Sequence, residues 1–336
     1  MVWFLDGTDR YKKSKLYKVD QLLDWAEMRR IIGRVERSGL GPRGYDVVNL
    51  TKAVLIQAWH GLSDEKMEEA LTMRIDFAMF CGFVDGVPDA STLCRFRNLL
   101  IEKKMLEKLF TAINRQLSRH GLSIDPSEGA ILDATLIQSA ARPGCMTDVV
   151  EDRAEDAGPL GAVQQFNPSK SADPDATWIK KGARYLYGYK GFTVNGAKHG
   201  AILRVHTTPA NVSEINQLKE SLGEVQPRHL LADKGYASQE NRDYLRTRGI
   251  QDGIMAKARR NKPLTAEQRA LNTIISQTRY KVEQGFGTLK RIFAFERASY
   301  MTLTKVHGQM LLKAMVFNIN KTINLLALQP PLELTG

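Results

Sequence analysis

Three acidic residues stand at positions where an unpaired charge would be costly. Asp133 interrupts an apolar run that is typical of a strand buried on both faces, and Asp233 ends a second apolar run just before a glycine turn. Glu283 lies inside a long helical pattern. A buried charge costs several kcal/mol unless it is paired or binds a metal. The three acids together therefore predict a binding site for a hard divalent cation.

Three carboxylates of this kind suit phosphoryl transfer. Two Mg²⁺ ions held by shared carboxylates can activate an attacking oxygen and stabilise the leaving oxygen in an in-line displacement. Mg²⁺ keeps several of its waters and needs few protein carboxylates beside the phosphate of the substrate. We therefore expect Asp133, Asp233 and Glu283 to be both catalytic residues and metal ligands.

The helix that carries Glu283 has two neighbouring stripes of different character. One stripe is apolar and should pack: Val282, Phe286, Leu289 and Phe293. The other stripe combines cations, a carboxylate and a glycine: Arg279, Glu283, Gly287 and Lys290. We expect Arg279 and Lys290 to bind flanking phosphates, the arginine through its fork of donors and the lysine as a point charge. The alternative is a solvated ion pair on an amphipathic helix, and the two strand acids favour the functional interpretation.

The order and spacing of these residues resemble the DDE transposases of bacterial insertion sequences, most closely the insertion-sequence-five family. The matching motifs are Asp133-Ala134-Thr135, then Ala232-Asp233-Lys234-Gly235-Tyr236, then the arginine, glutamate and lysine at positions 279, 283 and 290. The family signature has a tyrosine three residues before the arginine, where this chain has Ser276. That departure bears on a secondary DNA contact more than on the metal site.

Three further segments extend the likeness over residues 45–320. Ser91–Arg97 resembles part of the family's N-terminal helical domain, Tyr187–Phe192 its second core strand, and Pro209–Glu214 the turn after its third strand. The resemblance implies an enzyme that uses two Mg²⁺ ions, which Mn²⁺ can replace, and that acts on double-stranded DNA.

The elements that position these residues are predicted to form two domains. Helical patterns indicate an all-α domain for DNA binding or dimerisation at residues 1–125, with one helical segment across Leu22–Val35 and one helix from an N-cap at Ser63 to Gly82. From residue 126 to 336 the order is three strands followed by alternating helices and strands, which indicates an RNase H-like mixed-sheet catalytic domain of the α+β or α/β class. Asp133 would lie on its central first strand and Asp233 at the end of its fourth.

One stretch between the first two strands departs from this pattern. Residues 142–177 contain seven acids, three basic residues and repeated glycine and proline, with little apolar content. We expect a mobile insertion, either a plain loop or a segment that becomes ordered on DNA.

Several basic residues outside the Glu283 helix are candidates for DNA contact. Arg95 and Arg97 are expected to be exposed on the helix that starts at Ser91, where they could read the major groove from a helix-turn-helix unit. Packing or dimerisation is an equally good interpretation of that helix. The other candidates are three lysines near the acids, of which the first rests on the family resemblance, and three residues of a basic loop: Lys181, Lys190, Lys234, Arg259, Arg260 and Lys262.

The overall charge favours a polyanionic partner. The chain carries a formal net charge of +11, and the segment from Arg242 to Arg297 has 13 Lys or Arg against 5 Asp or Glu. Basic density of this kind can hold DNA against the repulsion of the acids. The alternative is a surplus of charge that only serves solubility.

The remaining composition indicates a cytoplasmic enzyme. Cys81, Cys94 and Cys145 form no Cys-x2-Cys pair, which argues against a disulfide framework or a structural zinc site. No segment has the apolar core of a signal peptide, and no apolar run approaches the length of a membrane span.

The function predicted from these features is DNA transposition. The chain would bind the terminal inverted repeats of its own element, cut to free 3′-OH ends and join them to target DNA. Because two ends must be held together, we expect a homodimer or a larger assembly on DNA. Two alternatives remain: a metal-dependent nuclease without strand transfer, and a catalytically silent DNA-binding regulator derived from a transposase.

Overall fold

The structure, a computed structural model, describes residues 11–33, 44–83, 86–122, 125–141, 150–151, 172–258 and 263–328. Most of the expected insertion at 142–177 lies outside these residues, and so do Arg259, Arg260 and Lys262. The chain divides into two compact units, Met1–Leu122 with Leu311–Gly336, and Ser123–Met310. The domain limits 1–125 and 126–336 stay a prediction, and in this division the C-terminal segment groups with the first unit.

The first unit is built from helices that begin at polar caps. The side chains of Asp24, Asp46, Ser63 and Asp89 each accept a hydrogen bond from an amide in the first turn of the following helix. The helices are α1 (Lys15–Leu22), α2 (Trp25–Ile32), α3 (Val47–His60), α4 (Asp64–Met73), α5 (Ile75–Cys81), α6 (Ala90–Glu102) and α7 (Met105–Arg119).

Two helical segments that were predicted as continuous are divided. The segment expected across Leu22–Val35, whose last residue lies outside the described residues, is broken where Asp24 caps α2. The helix expected across Ser63–Gly82 is broken at Arg74, whose backbone is extended with φ −104° and ψ 111°. The apolar residues continue across both breaks, so that hydrophobic periodicity alone does not reveal them. The N-cap at Ser63 is confirmed.

Arg97 on α6 is buried, and the prediction that it is exposed is wrong. Its side chain is 2% exposed, and its guanidinium donates hydrogen bonds to both carboxylate oxygens of Asp64, at 2.6 and 2.8 Å, and to Gln57 at 3.2 Å. Burial opposes the charge of Asp64, but the bonds from Arg97 and Gln57 outweigh it and lower its pKa. Arg95 is exposed on the same helix. Arg97 therefore stabilises the helical unit and is not available to DNA.

The second unit contains a mixed sheet, as predicted. The described strands are β1 (Ala130–Gln138), β2 (Val150–Glu151), β3 (Thr177–Lys181), β4 (Arg184–Gly196), β5 (Ile202–Pro209), β6 (His229–Ala232) and β7 (Gln251–Ile254). Its helices are α8 (Leu218–Leu222), α9 (Gln239–Thr247) and α10 (Ala266–Arg291). The short strands β2 and β3 were not predicted, because they lie in or beside the polar stretch interpreted as an insertion.

The topology places β1 at the centre of the sheet. β1 pairs antiparallel with β4 and parallel with β6, and β6 pairs parallel with β7. β4 also pairs antiparallel with β3 and β5. This order, together with the helices that precede it, confirms the predicted helical region and RNase H-like catalytic fold.

An apolar core covers one face of this sheet. It takes alternate residues of β1 and β4 and packs them against α8 and α9: Ala130, Leu132, Phe192, Val194, Leu218, Leu222 and Leu245. Because successive side chains on a strand alternate between faces, Asp133 projects from the face opposite Leu132. The core thus leaves the acid on the other side of the sheet.

The last helix, α11 (Leu303–Leu328), begins in the second unit and ends in the first. Within the second unit, His307 of this helix lies 3.2 Å from the hydroxyl of Thr207 on β5. Within the first unit, the buried ammonium of Lys313 donates to the carbonyl of Ala58 at 2.6 Å. None of the helices in the described ranges is both long enough and apolar enough to cross a bilayer.

Replacing Arg97 with alanine should destabilise the protein by about 3 kcal/mol, because it leaves the carboxylate of Asp64 without its buried partner. Arg95→Ala on the same helix is the matched control and should change the free energy of unfolding by less than about 0.5 kcal/mol. Urea denaturation of the full chain measures both values. Equal effects of the two substitutions would contradict the buried ion pair.

Candidate active site

The pairing of β1 with β6 brings two of the three predicted acids together. The strands are parallel and Leu132 pairs with Ala232, so that Asp133 and Asp233 are the next residues on neighbouring strands. Asp133 is largely buried, with 15% of its side chain exposed, whereas Asp233 is 38% exposed at the end of β6. The two carboxylates therefore lie side by side where the parallel pairing of β1 with β6 ends.

Backbone amides orient both carboxylates. Oδ1 of Asp133 accepts a hydrogen bond from the amide of Ala134 at 2.8 Å. Oδ1 of Asp233 accepts one from the amide of Lys234 at 2.6 Å and so caps the 3₁₀ helix Lys234–Tyr236. Asp233 thus follows the last residue of β6 and has two roles. Its carboxylate caps the turn that comes next, and it also faces the site.

Arg279 of α10 bridges the two aspartates. One terminal nitrogen of its guanidinium donates to Oδ2 of Asp133 at 2.8 Å, and the other lies 3.6 Å from Oδ1 of Asp233. Its side chain is 9% exposed, and its Nε atom has no hydrogen-bond partner among the described residues. The sulfur of Met255 lies 3.7 Å from the same guanidinium. A single cation thus offsets two neighbouring negative charges.

The charge of Asp133 is only partly compensated. Burial raises the pKa of this carboxyl, and the charge and hydrogen bond of Arg279 together with the Ala134 amide lower it. Burial outweighs these effects, so that the pKa lies above its ordinary value. A site where burial exceeds the available positive charge is one that a further cation would stabilise.

Glu283 lies one helical turn beyond Arg279 and is exposed. The expected apolar stripe, which runs along α10 and ends at Phe293 just beyond it, is buried, with exposures from 0% at Phe293 to 9% at Phe286. Among the residues that the structure describes, no cluster of three or more His, Cys, Asp or Glu side chains could hold a metal ion. The structure therefore joins Asp133 with Asp233 and does not bring Glu283 to them.

Lys290 and Lys181 come together near the far end of α10. Lys290 is half-buried, and burial lowers the pKa of its ammonium. The nearby carboxylate of Glu296 raises that pKa, and the nearby charge of Lys181 lowers it. Lys181 is exposed at the end of β3. Two of the predicted DNA contacts thus lie close enough for the charge of one to act on the other, with the carboxylate of Glu296 also near.

The other two lysines of the sheet unit differ in their surroundings. Lys234 is exposed in the turn after Asp233. Lys190 is buried on β4, where its ammonium donates to the carbonyl of Val212 at 3.0 Å and lies 3.4 Å from Glu214. Lys190 is therefore engaged within the protein and does not present its charge on the surface.

Sequence comparisons assign the family. A transposase DDE domain matches residues 125–319, and a transposase domain (DUF772) matches residues 5–99. The transposase for insertion sequence element IS1106 of Neisseria meningitidis serogroup B is 43% identical over 234 residues, which span 69% of this chain and 78% of that protein. The chain belongs to the DDE transposases, which are metal-dependent polynucleotidyl transferases that act on DNA. Its place in the insertion-sequence-five family stays a prediction.

Solved transposase structures are more distant. The piggyBac transposase synaptic complex with hairpin DNA is 12% identical, with 96% of this chain and 76% of that chain covered at a TM-score of 0.42. A pre-cleavage Mos1 transpososome is 10% identical, with 86% and 81% covered at a TM-score of 0.19. TM-scores this low support no inference about the site.

The two aspartates fit the divalent cation on which this family depends. Carboxylate oxygens are the ligands that hard cations such as Mg²⁺ prefer. In the structure the place between Asp133 and Asp233 already attracts a positive group, the guanidinium of Arg279, and the charge of Asp133 is still incompletely offset. The chemistry of these two residues thus fits part of a site for such a cation.

Adding Mn²⁺ should raise the melting temperature of the full chain, because the cation binds the folded site and not the unfolded chain. Asp133→Asn should remove this gain. The matched control is Asp243→Asn, since the side chain of Asp243 on α9 is 48% exposed and pairs with Arg246. Differential scanning calorimetry with and without Mn²⁺ measures the shift. A gain of equal size in both variants would place the bound cation elsewhere.

Proposed function

We propose that this transposase cuts at the terminal inverted repeats of its own element and joins the freed 3′-OH ends to target DNA. Asp133, Asp233 and Glu283 are the catalytic carboxylates and hold two Mg²⁺ ions, which Mn²⁺ can replace. The observation that supports this most is the juxtaposition of Asp133 and Asp233 at the end of the β1–β6 pairing, bridged by a cationic side chain.

Both steps are displacements at phosphorus. In the first, a water oxygen bonds to the phosphorus, the bond to the 3′ oxygen breaks, and the 3′-OH leaves. In the second, that hydroxyl bonds to a phosphorus of the target, and a target 3′ oxygen leaves. Bound Mg²⁺ would lower the pKa of the attacking oxygen and offset charge on the leaving one. Because the steps differ only in the nucleophile, one carboxylate site serves both.

Glu283 has to reach the aspartates for this chemistry. It is exposed on α10 one helical turn beyond Arg279, and Arg279 contacts Asp133 and lies near Asp233. The carboxylates of such sites repel one another in the absence of metal. We infer that binding of metal and DNA draws Glu283 towards Asp133 and Asp233.

Arg279 has two successive roles in this proposal. Without metal it offsets part of the charge of the two aspartates, and its guanidinium bridges the carboxylates where a divalent cation would bind. With metal and DNA present it is released to bind a flanking phosphate, for which its planar fork of donors is suited. Metal and Arg279 therefore compete for the same carboxylates.

The proposed DNA contacts are the exposed or partly exposed cations beside this site: Lys181, Lys234 and Lys290, with Arg259, Arg260 and Lys262 of the basic loop. Arg95 remains the candidate in the helical unit. The buried, paired positions of Arg97 and Lys190 remove both from this set. Two transposon ends must be held at once, so at least a dimer assembles on DNA, in the cytoplasm of its host.

The rival functions make different predictions for one reaction. A labelled duplex that bears the inverted repeats flanking the gene is incubated with the full chain and Mg²⁺, and with EDTA as a control. Cleavage at 3′ ends together with joined product supports transposition. Cleavage without joining favours a nuclease, and binding without cleavage favours a silent regulator.

In the same reaction, Glu283→Gln should lower cleavage on the order of 100-fold or more, because it removes a charged ligand of the catalytic metal. Glu267→Gln, at an exposed position in the first turn of the same helix, is the control and should cleave normally. Full cleavage and joining by Glu283→Gln would exclude this glutamate from the catalytic set.

Arg279→Gln should tighten binding of Mn²⁺ to the DNA-free chain by about tenfold or more, because it removes a competing positive charge from between the aspartates. The same variant should cleave DNA poorly, because it has lost its phosphate contact. Free Mn²⁺ measured by electron paramagnetic resonance reports the affinity, and Arg269→Gln on the same helix is the control. Weaker binding by Arg279→Gln would show that this arginine supports the metal and does not compete with it.

A further inference from the structure

A cleft in the helical unit is lined mainly by cations. It lies between α2 and α7, which pack against each other, and its volume is about 520 Å³. Its charged lining residues come from both helices and from the N-cap of α2: Asp24, Glu27, Arg30, Lys108, Arg115 and Arg119. Four of these side chains are cations and two are acids, so the cleft carries an excess of positive charge.

The two acids of the cleft are already engaged within the protein. Asp24 caps α2, and its carboxylate accepts hydrogen bonds from the amides of Ala26 and Glu27 at 2.9 and 3.2 Å. The carboxylate of Glu27 pairs with Arg115 and accepts a bond from the side-chain amide of buried Gln116 at 2.8 Å. The backbone amide of Asp24 donates to Gln116 at 2.9 Å. These bonds join α2 to α7 and fix the walls of the cleft.

The other three cations of the cleft are available to an outside anion. The side chains of Arg30, Lys108 and Arg119 are exposed, and they form no ion pair or hydrogen bond with any residue that the structure describes. Cations gathered in one cleft repel one another, and an anion between them removes that repulsion. The cleft therefore favours a ligand with several negative charges.

The cations of α7 lie along one face of the helix. Lys108, Arg115 and Arg119 follow one another at intervals of seven and four residues, and both intervals return to the same face. At about 1.5 Å of rise per residue, the first and the last lie about 16 Å apart along the helix axis. One strand of double-stranded DNA carries a phosphate about every 3.4 Å of axis, so this face spans about five phosphates. A stretch of DNA backbone thus matches it in both charge and length.

We propose that the cleft between α2 and α7 binds the sugar–phosphate backbone of double-stranded DNA. Lys108 and Arg119 contact phosphates along one strand, and Arg30 reaches that strand from the other wall of the cleft. The guanidinium groups suit phosphate oxygens through paired hydrogen bonds, and the ammonium suits them as a point charge.

Contacts of this kind position DNA without reading its sequence. The cleft therefore holds DNA of any sequence and leaves the bases to other residues, among which Arg95 is the candidate in this unit. The inference rests on the proposed function, in which double-stranded DNA is the partner, and it assigns a second surface of the helical unit to that partner.

Salt-dependent binding to two duplexes tests the proposal. One duplex bears the inverted repeat that flanks the gene, and the other has the same length and composition in shuffled order. Fluorescence anisotropy measures the affinity of the full chain for each at several KCl concentrations, with EDTA present so that no strand is cut. The test variant is Lys108→Gln with Arg119→Gln. The control is Lys12→Gln with Lys66→Gln, which removes the same charge from exposed positions of the same unit outside the cleft lining.

The test variant should bind both duplexes more weakly by the same factor, about tenfold or more near 0.1 M salt. Each lost phosphate contact lowers the slope of log affinity against log salt by about 0.9, so the slope should fall by about 1.8. The control should keep the affinity and the slope of the unchanged chain. Thermal melting checks that each variant is folded.

The outcomes separate this inference from the proposed function. If the test variant binds both duplexes as the control does, the cleft is not a DNA surface, while repeat binding by the unchanged chain leaves the proposed function standing. If the test variant weakens only the repeat duplex, the cleft reads bases and the backbone assignment is wrong. If the unchanged chain binds neither duplex, the proposed function fails together with this inference.

A charge-preserving exchange at the same positions distinguishes charge from shape. Lys108→Arg with Arg119→Lys keeps both cations in the cleft, so its affinity for the two duplexes should stay within about threefold of the unchanged chain. A loss as large as that of the glutamine variant would show that the effect does not come from the charges and would overturn the proposal.

Discussion

Two carboxylates on neighbouring parallel strands are the constraint on which the second unit depends. The β1–β6 register places Asp133 and Asp233 side by side, and burial opposes the charge of Asp133. The guanidinium of Arg279, on α10, offsets part of this unfavourable energy. The helix has to lie where the guanidinium reaches both acids, and its buried apolar stripe holds it there. The position of α10 therefore follows from the need to bring a cation to the two acids that the sheet register places side by side.

This solution also explains why the catalytic arrangement is incomplete without its ligands. The proposed centre of three carboxylates needs cations to offset its charges, so a chain that folds before it meets metal and DNA benefits from a substitute charge. Arg279 supplies part of that charge with a side chain that the protein already holds in place. In the proposed mechanism, binding of the cation displaces Arg279 from the aspartates, and Arg279 then binds a phosphate of the substrate.

Much of this could be predicted from sequence, and the failures have physical reasons. Apolar runs broken by one acid predicted β1 and β6, because a buried charge is costly enough to be informative. Arg97 was predicted to be exposed, although it lies four residues after Leu93 and so shares the buried stripe of that helix. Its pairing with Asp64 joins residues that are far apart in the sequence, and hydrophobic periodicity cannot reveal such a pair.

The most direct test of the central claim is anomalous X-ray diffraction from Mn²⁺-soaked crystals of the full chain bound to its terminal repeat. The account predicts Mn²⁺ peaks between Asp133 and Asp233, with Glu283 drawn in and the guanidinium of Arg279 moved from the carboxylates to a DNA phosphate. Peaks at another place, with Arg279 still bridging the two aspartates, would contradict it.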